Sequence, residues 1–146
     1  MGNRINIQKL TPDAYQILIQ LDQFMANSGI NKLHLELIKI RASQINGCAF
    51  CLNMHIKDAL KYGEEPKRIH VLSAWREAKK WFSEEEQLIL QLTEEITLIA
   101  QGGLSDDTYE KVVKTFGDEI TAKLIIGVIN INSWNRLGVS LNMHPM

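Results

Sequence analysis

The feature that most constrains the fold is the helical spacing of apolar residues along almost the whole chain. Between Thr11 and about Leu141, these residues recur three and four positions apart, which is the period of a helix buried on one face and not of a strand. Glycines and capping residues stand where each apolar stripe starts or stops. The spacing therefore predicts an all-α fold, a bundle of about seven helices.

Local signals predict where these helices begin and end. Thr11 followed by Pro12 is typical of a helix start, and Ser83 with Glu86 forms the Ser-x-x-Glu pattern of a capping box. Glycines favour the left-handed conformation that ends helices. With caps and terminating residues included, the predicted spans are 11–29, 31–47, 48–62, 66–81, 83–102, 105–116 and 119–137.

The last predicted helix contains the segment AKLIIGVINI, residues 122–131, which is apolar on nearly all sides. A helix of this kind is stable only when it is buried all round or lies at a subunit interface. We therefore expect a chain of this size to complete its hydrophobic core by packing against copies of itself in a homo-oligomer.

Composition and charge exclude several classes of protein. With 146 residues, 45% hydrophobic and 23% charged, the chain fits one soluble globular domain, residues 1–146. No apolar run approaches the roughly 18 residues of a membrane span, and the net charge of -1 with scattered Lys and Arg gives no nucleic-acid-binding stripe. The amino terminus, MGNRINIQKL, lacks the apolar core of a secretory signal, so we expect a reducing cytoplasm.

The chain has two cysteines, Cys48 and Cys51, at the predicted start of the third helix. So local a pair does not build a disulfide framework, and in the cytoplasm it indicates redox or metal chemistry. A free thiol has a pKa near 8.5, so only about 3% is thiolate at pH 7. The unpaired N–H groups and the dipole of a helix amino terminus lower that pKa and favour the reactive thiolate.

Two further side chains are expected beside this pair. His55 lies one helical turn beyond Cys51, so its imidazole can exchange a proton with a sulfur. Glu36, on the preceding helix, reaches a similar height if the two helices form an antiparallel hairpin across residues 46–47. The spacing is consistent with a Glu36–His55 contact, while Glu36 alone is more typical of a solvated helix charge.

Other interpretations of the same residues stay open at this point. The cysteines are also compatible with two small buried apolar side chains, or with a zinc site in which His55 and Glu36 complete the ligands. Ser43 and Asn46 either line the same pocket or simply belong to a polar helix face and a turn. Arg41 either pairs with an acid or holds an oligomer contact.

The segment RASQINGCAFCLNMH, with Glu36 ahead of it, resembles the core motif of the alkylhydroperoxidase D-like family, within the carboxymuconolactone decarboxylase superfamily. The likeness continues through LSAWREAKKWFSEEEQLILQLTEEIT and SWNRLGV, so it covers most of the chain. The resemblance implies an all-helical homo-oligomer, often a trimer or hexamer. It also implies thiol-dependent peroxide reduction, with the dithiol recycled by dihydrolipoamide or a lipoyl-carrying protein and with no metal or flavin cofactor.

Carried over by position, the resemblance implies that Cys51 is the peroxidatic thiol, Cys48 the resolving thiol, and His55 the relay between Cys51 and Glu36. One position departs from the pattern, because the best-known peroxidase members have a second histidine where this chain has Phe50. The decarboxylase branch works without the cysteine pair. We therefore expect a peroxidase or dithiol–disulfide oxidoreductase. The alternatives are a redox-sensing or interaction protein without catalysis, and a metal-binding or lactone-processing member.

Overall fold

The computed structural model describes residues 4–146, and within that range the chain forms helices and no strand. Two 3-10 segments, Leu72–Trp81 and Ile99–Gln101, add to seven α-helices. These are α1 (Ile7–Leu10), α2 (Pro12–Ala26), α3 (Lys32–Asn46), α4 (Ala49–Lys61), α5 (Pro66–His70), α6 (Glu84–Thr97) and α7 (Asp106–Ser140). The all-α prediction is confirmed, and residues 1–3 of the predicted domain lie outside the described residues.

The predicted boundaries hold best where a side chain caps the helix. The side chain of Ser83 accepts from the N–H of Glu86 and completes a capping box. The side chain of Asn31 caps α3 by accepting from the N–H of Leu33. Thr11 occupies the cap position of α2 without a side-chain hydrogen bond. The predicted sixth and seventh helices run on as α7, with a break at Gly117, where φ is 79°.

The predicted single helix over 66–81 is wrong. The α-helix α5 ends at His70, and the chain continues as a 3-10 segment with non-helical backbone at Ala74 and Ala78. Neither position carries a glycine or proline, so no local signal marks these breaks. The bends instead accompany tertiary contacts of the intervening Trp75 and Arg76, which reach a carboxylate on α6.

The helix α3 lies at the centre of the molecule and supplies both hydrophobic clusters. Leu37 and Ile40 pack with the segment around Leu72 and Trp75, while Ile38 and Ala42 pack against α6 and α7. As a result α3 is buried on most of its surface, including the position of Glu36. A charged residue at such a position requires hydrogen-bonding partners.

The turn between α3 and α4 places these two helices side by side. Gly47 takes the left-handed conformation, with φ of 67°, and its N–H closes α3 by donating to the carbonyl of Ser43. The chain then reverses, so that α3 lies against α4. Residues at similar distances from the turn, such as Glu36 and His55, therefore come to a similar height, as predicted.

Among residues 4–146, no helix combines the length and the apolar character needed to cross a lipid bilayer.

Candidate active site

The two cysteines are joined to each other at the start of α4. Cys48 has extended backbone and is the cap residue of α4, while Cys51 lies in the first turn, with a Cα–Cα distance of 5.3 Å. The N–H of Cys51 donates to Cys48 Sγ, with 3.3 Å between nitrogen and sulfur. The sulfur of Cys48 thus takes the place of a capping oxygen, where a thiolate is stabilised by the helix dipole.

Next to the dithiol, His55 and Glu36 form a buried pair. His55 Nδ1 lies 3.1 Å from Glu36 Oε2, and both residues are less than one tenth exposed. A carboxylate only accepts hydrogen bonds, so Nδ1 carries the proton and donates it. In the neutral imidazole this leaves Nε2 as an acceptor, which is the form needed by a base.

Lys39 holds the other oxygen of the Glu36 carboxylate. Its Nζ donates to Oε1 at 3.0 Å from the next turn of α3. Burial by itself would raise the pKa of the Glu36 carboxyl, but the hydrogen bond from His55 and the charge of Lys39 outweigh burial and hold this pKa below its ordinary value. Glu36 is therefore ionised at neutral pH. Lys39 is a site residue that the sequence interpretation missed, although its spacing of three from Glu36 is a usable signal.

Ser43 and Asn46 connect α3 to α7. The Asn135 side-chain amide donates to Ser43 Oγ at 2.9 Å, and Asn46 Nδ2 donates to the side-chain oxygens of Asn132 and Asn135 at 3.0 Å each. This network fixes the end of α3 directly before the turn that carries Cys48. Its α7 members were missed because residues so far apart in sequence give no local pattern.

A second buried carboxylate, Glu94 on α6, lies apart from this pair. It accepts from Arg41 Nε at 2.9 Å, from Trp75 Nε1 at 2.7 Å, and from the guanidinium of Arg76. Burial would raise the pKa of the Glu94 carboxyl, but these three donors hold it below its ordinary value. Arg41 therefore pairs with an acid, which is one of its two predicted roles.

One cluster of possible metal ligands occurs among the described residues. The ligand atoms of Glu36, His55 and Asp58 lie within 4.8 Å of one another. The ammonium of Lys39 occupies one oxygen of Glu36, however, and His55 points its N–H at the other. The two cysteine sulfurs are bonded to each other and present no thiolate in this oxidised form. The arrangement therefore favours a proton relay over the predicted alternative of a zinc site.

Comparison with known proteins gives a consistent picture. The family model described as carboxymuconolactone decarboxylase matches residues 12–95. The uncharacterized protein YdfG of Bacillus subtilis (strain 168) is 39% identical over 141 residues, which cover 97% of this chain and 95% of that protein.

Two solved structures are also similar. One is a protein of unknown function from Agrobacterium tumefaciens, described as a candidate antioxidant defence protein AhpD, with a TM-score of 0.94, 35% identity and 99% of each chain covered. The other, an uncharacterized peroxidase-related protein from Silicibacter sp. TM1040, has a TM-score of 0.80 at 20% identity, covering 97% of this chain and 72% of that one. The second likeness is one of fold alone.

Proposed function

Since this chain belongs to the carboxymuconolactone decarboxylase family and is alkylhydroperoxidase D-like within it, we propose that it is a thiol-dependent peroxidase that reduces hydroperoxides with its Cys48–Cys51 dithiol. One observation carries the proposal: a buried Glu36–His55 pair lies one helical turn from the second cysteine of a redox-capable pair. Such a pair orients a base and stabilises it once it is protonated.

The first step oxidises Cys51. Nε2 of His55 accepts the thiol proton, and the Glu36 carboxylate stabilises the resulting imidazolium through Nδ1. The thiolate attacks one peroxide oxygen, the O–O bond breaks, and the proton passes from His55 to the departing alkoxide. Cys51 becomes a sulfenic acid and the hydroperoxide becomes an alcohol.

The second step closes the disulfide. The Cys48 sulfur attacks the sulfenic sulfur of Cys51 and water leaves, which gives the bonded form present in the structure. An external dithiol such as dihydrolipoamide, free or on a lipoyl-carrying protein, then attacks Cys51. Cys48 departs as a thiolate, which the N–H of Cys51 and the dipole of α4 stabilise. The second thiol of the reagent then attacks the mixed disulfide, so Cys51 is released as a thiolate and the reagent leaves as its cyclic disulfide. No metal or flavin takes part in this cycle.

Self-association is part of the proposal. Ile126 and Ile129 of α7 are 37% and 45% exposed in the single chain. Ile129 lines an apolar groove of about 520 Å³ together with Ile99, Leu104 and Ile125. Apolar side chains on this scale support a contact between copies, in a trimer or hexamer. A dithiol that must be kept reduced further supports the cytoplasm as its compartment.

Peroxide consumption with dihydrolipoamide as reductant tests the proposal. We expect wild type to consume many equivalents of hydroperoxide per chain, and Cys51→Ser to consume none above the uncatalysed rate. Cys48→Ser is expected to react once and stop. Consumption by Cys51→Ser at the wild-type rate contradicts the proposal. A wild-type protein that forms its disulfide once, with no turnover under any dithiol, is instead the redox sensor.

A further inference from the structure

Gly138 is a glycine whose presence no turn explains. It lies in the last turns of α7, is buried, and has no positive φ. Glycine inside a helix costs about 1 kcal/mol relative to alanine. At this position the conformational freedom of glycine is unused, so its small size is the property that matters.

The space that a side chain would need is occupied by the dithiol. A Cβ built on Gly138 would lie 2.8 Å from Cys48 Sγ and 3.5 Å from Cys51 Sγ. The first distance is far inside the optimal contact of about 3.5 to 4.0 Å, so either the helix or the sulfur must move. The backbone of α7 therefore lies directly on the disulfide, and both cysteines are only 2% exposed.

The sulfur of Cys48 is held in two ways in the oxidised form. It is bonded to Cys51 Sγ, and it accepts the N–H of Cys51 as the cap of α4. It cannot retreat from α7 without distorting one of these links. In the reduced form the covalent link is absent, and rotation about χ1 of Cys48 can carry the sulfur away.

We infer that Gly138 is a positioning residue of the dithiol, because its missing side chain gives the Cys48 sulfur the place that it must occupy in the disulfide. A methyl group at this position opposes the disulfide more than the dithiol. Gly138 thus biases the pair towards the oxidised form and sets the reducing power required of the external dithiol. Its effect on turnover rests on the proposed function, whereas its effect on the equilibrium does not.

The equilibrium with dithiothreitol measures this bias directly. The protein disulfide and one dithiothreitol give the protein dithiol and the cyclic disulfide of the reagent, so two electrons and two protons pass to the cysteines. Mixtures of reduced and oxidised reagent are equilibrated with the protein. Acid quenching, alkylation and mass spectrometry then give the reduced fraction.

Gly138→Ala and Gly127→Ala form a matched pair for this experiment. Both glycines are buried in α7, but a Cβ at Gly127 meets only the terminal methyl and the sulfur of the Met25 side chain, the methyl at 3.0 Å. We expect Gly138→Ala to raise the equilibrium constant for reduction at least about tenfold, equivalent to about 30 mV. Gly127→Ala should stay within about twofold of wild type. Equal constants for Gly138→Ala and wild type overturn the inference.

A comparison of melting temperatures, with and without the Cys48 sulfur, tests the inference even if Gly138→Ala folds poorly. We expect this substitution to lower the melting temperature of the oxidised protein. In a Cys48→Ala background it should leave the melting temperature unchanged or raise it, because the opposing sulfur is gone and alanine is the better helix former. The same loss in both backgrounds, or failure to fold in both, overturns the inference. Neither readout uses peroxide, so a protein without peroxidase activity still tests it.

Discussion

Glu36 and Glu94 are two buried carboxylates whose pKa values both lie below the ordinary value, but their partners differ. Glu94 is bonded by the guanidinium groups of Arg41 and Arg76 and by the indole of Trp75. Glu36 is bonded by Lys39 and by the imidazole of His55. The donors to Glu94 are thus arginine and tryptophan N–H groups, whereas one donor to Glu36 is an imidazole, whose second nitrogen can act as a base.

Under the proposed function, this difference separates a structural charge, Glu94, from one that takes part in the reaction, Glu36. An arginine stays protonated at any pH at which the protein is folded, so the Glu94 cluster has no route for moving a proton. The imidazole on Glu36 can gain and lose a proton at Nε2 while its other nitrogen stays bonded. Burial and a lowered pKa alone therefore do not identify a catalytic carboxylate, and the protonation chemistry of its partner does.

The largest expected effect is a difference in peroxide turnover between variants of the two carboxylates. Glu36→Gln should lower peroxide turnover about 100-fold or more, because Gln cannot stabilise the imidazolium. Glu94→Gln should leave turnover within about threefold of wild type. Steady-state peroxide consumption at saturating dithiol measures both, with folding checked by circular dichroism. Equal losses in the two variants contradict the assignment of Glu36 to the relay.

For stability the order of the two sites reverses. Glu94→Gln should lower the free energy of unfolding by about 3 kcal/mol, because the largely buried guanidinium of Arg41 loses its counter-charge. Glu36→Gln should cost less, since Gln still accepts from His55 and Lys39 remains partly exposed to water. Urea unfolding at pH 7 with both cysteines oxidised gives the two values. A larger loss for Glu36→Gln would falsify this ranking.

The lowered pKa of Glu94 also predicts how stability depends on pH. Because this pKa is lower in the folded chain, the unfolded chain binds the proton more readily. The stabilising contribution is then fully present above the unfolded value of 4.5 and is lost as the pH falls through the folded pKa. Urea midpoints measured from pH 6 downwards, in steps of about half a unit, should fall less steeply for Glu94→Gln than for wild type. Parallel curves would show that Glu94 does not carry the acid dependence.

Lys39 provides the smallest and finest test. Lys39→Met removes one of the two donors on Glu36 and should raise the pKa of that carboxyl towards its ordinary value. We expect turnover at pH 7 to change by less than about tenfold, and its acid limb to shift to higher pH. Lys39→Arg keeps the charge and should retain the wild-type limb. If the acid limb of the pH profile lies at the wild-type pH in both variants, the role of Lys39 is contradicted.

Local signals in the sequence predicted the structural features that depend on residues close together in the chain. The capping box of Ser83 and the left-handed Gly47 fix their helix ends by contacts within a few residues, and both occur as predicted. The Glu36–His55 contact is consistent with the helical rise on either side of one turn. Short-range geometry therefore allowed the contact, and the resemblance to the alkylhydroperoxidase D-like family indicated which two residues form it.

Long-range packing accounts for what the sequence left out. The breaks at Ala74 and Ala78 carry no local mark, and Trp75 meets Glu94 only once α6 is in place. In the sequence Gly138 resembles any helix-interior glycine, and only the packing of α7 against the two sulfurs shows why a side chain is excluded there. The burial of both cysteines is likewise a property of the assembled bundle and not of the motif.

The rate of sulfenic acid formation at Cys51 is the most direct test of the relay. In Cys48→Ser the sulfenic acid cannot close to a disulfide, so a sulfenic-acid-specific trapping reagent captures it for mass spectrometry. We predict one adduct, on Cys51, within the first turnover with hydroperoxide, and formation about 100-fold slower when Glu36→Gln is added. An unchanged rate in the double variant, or no adduct on Cys51, would contradict the claim that the Glu36–His55 pair activates this thiol.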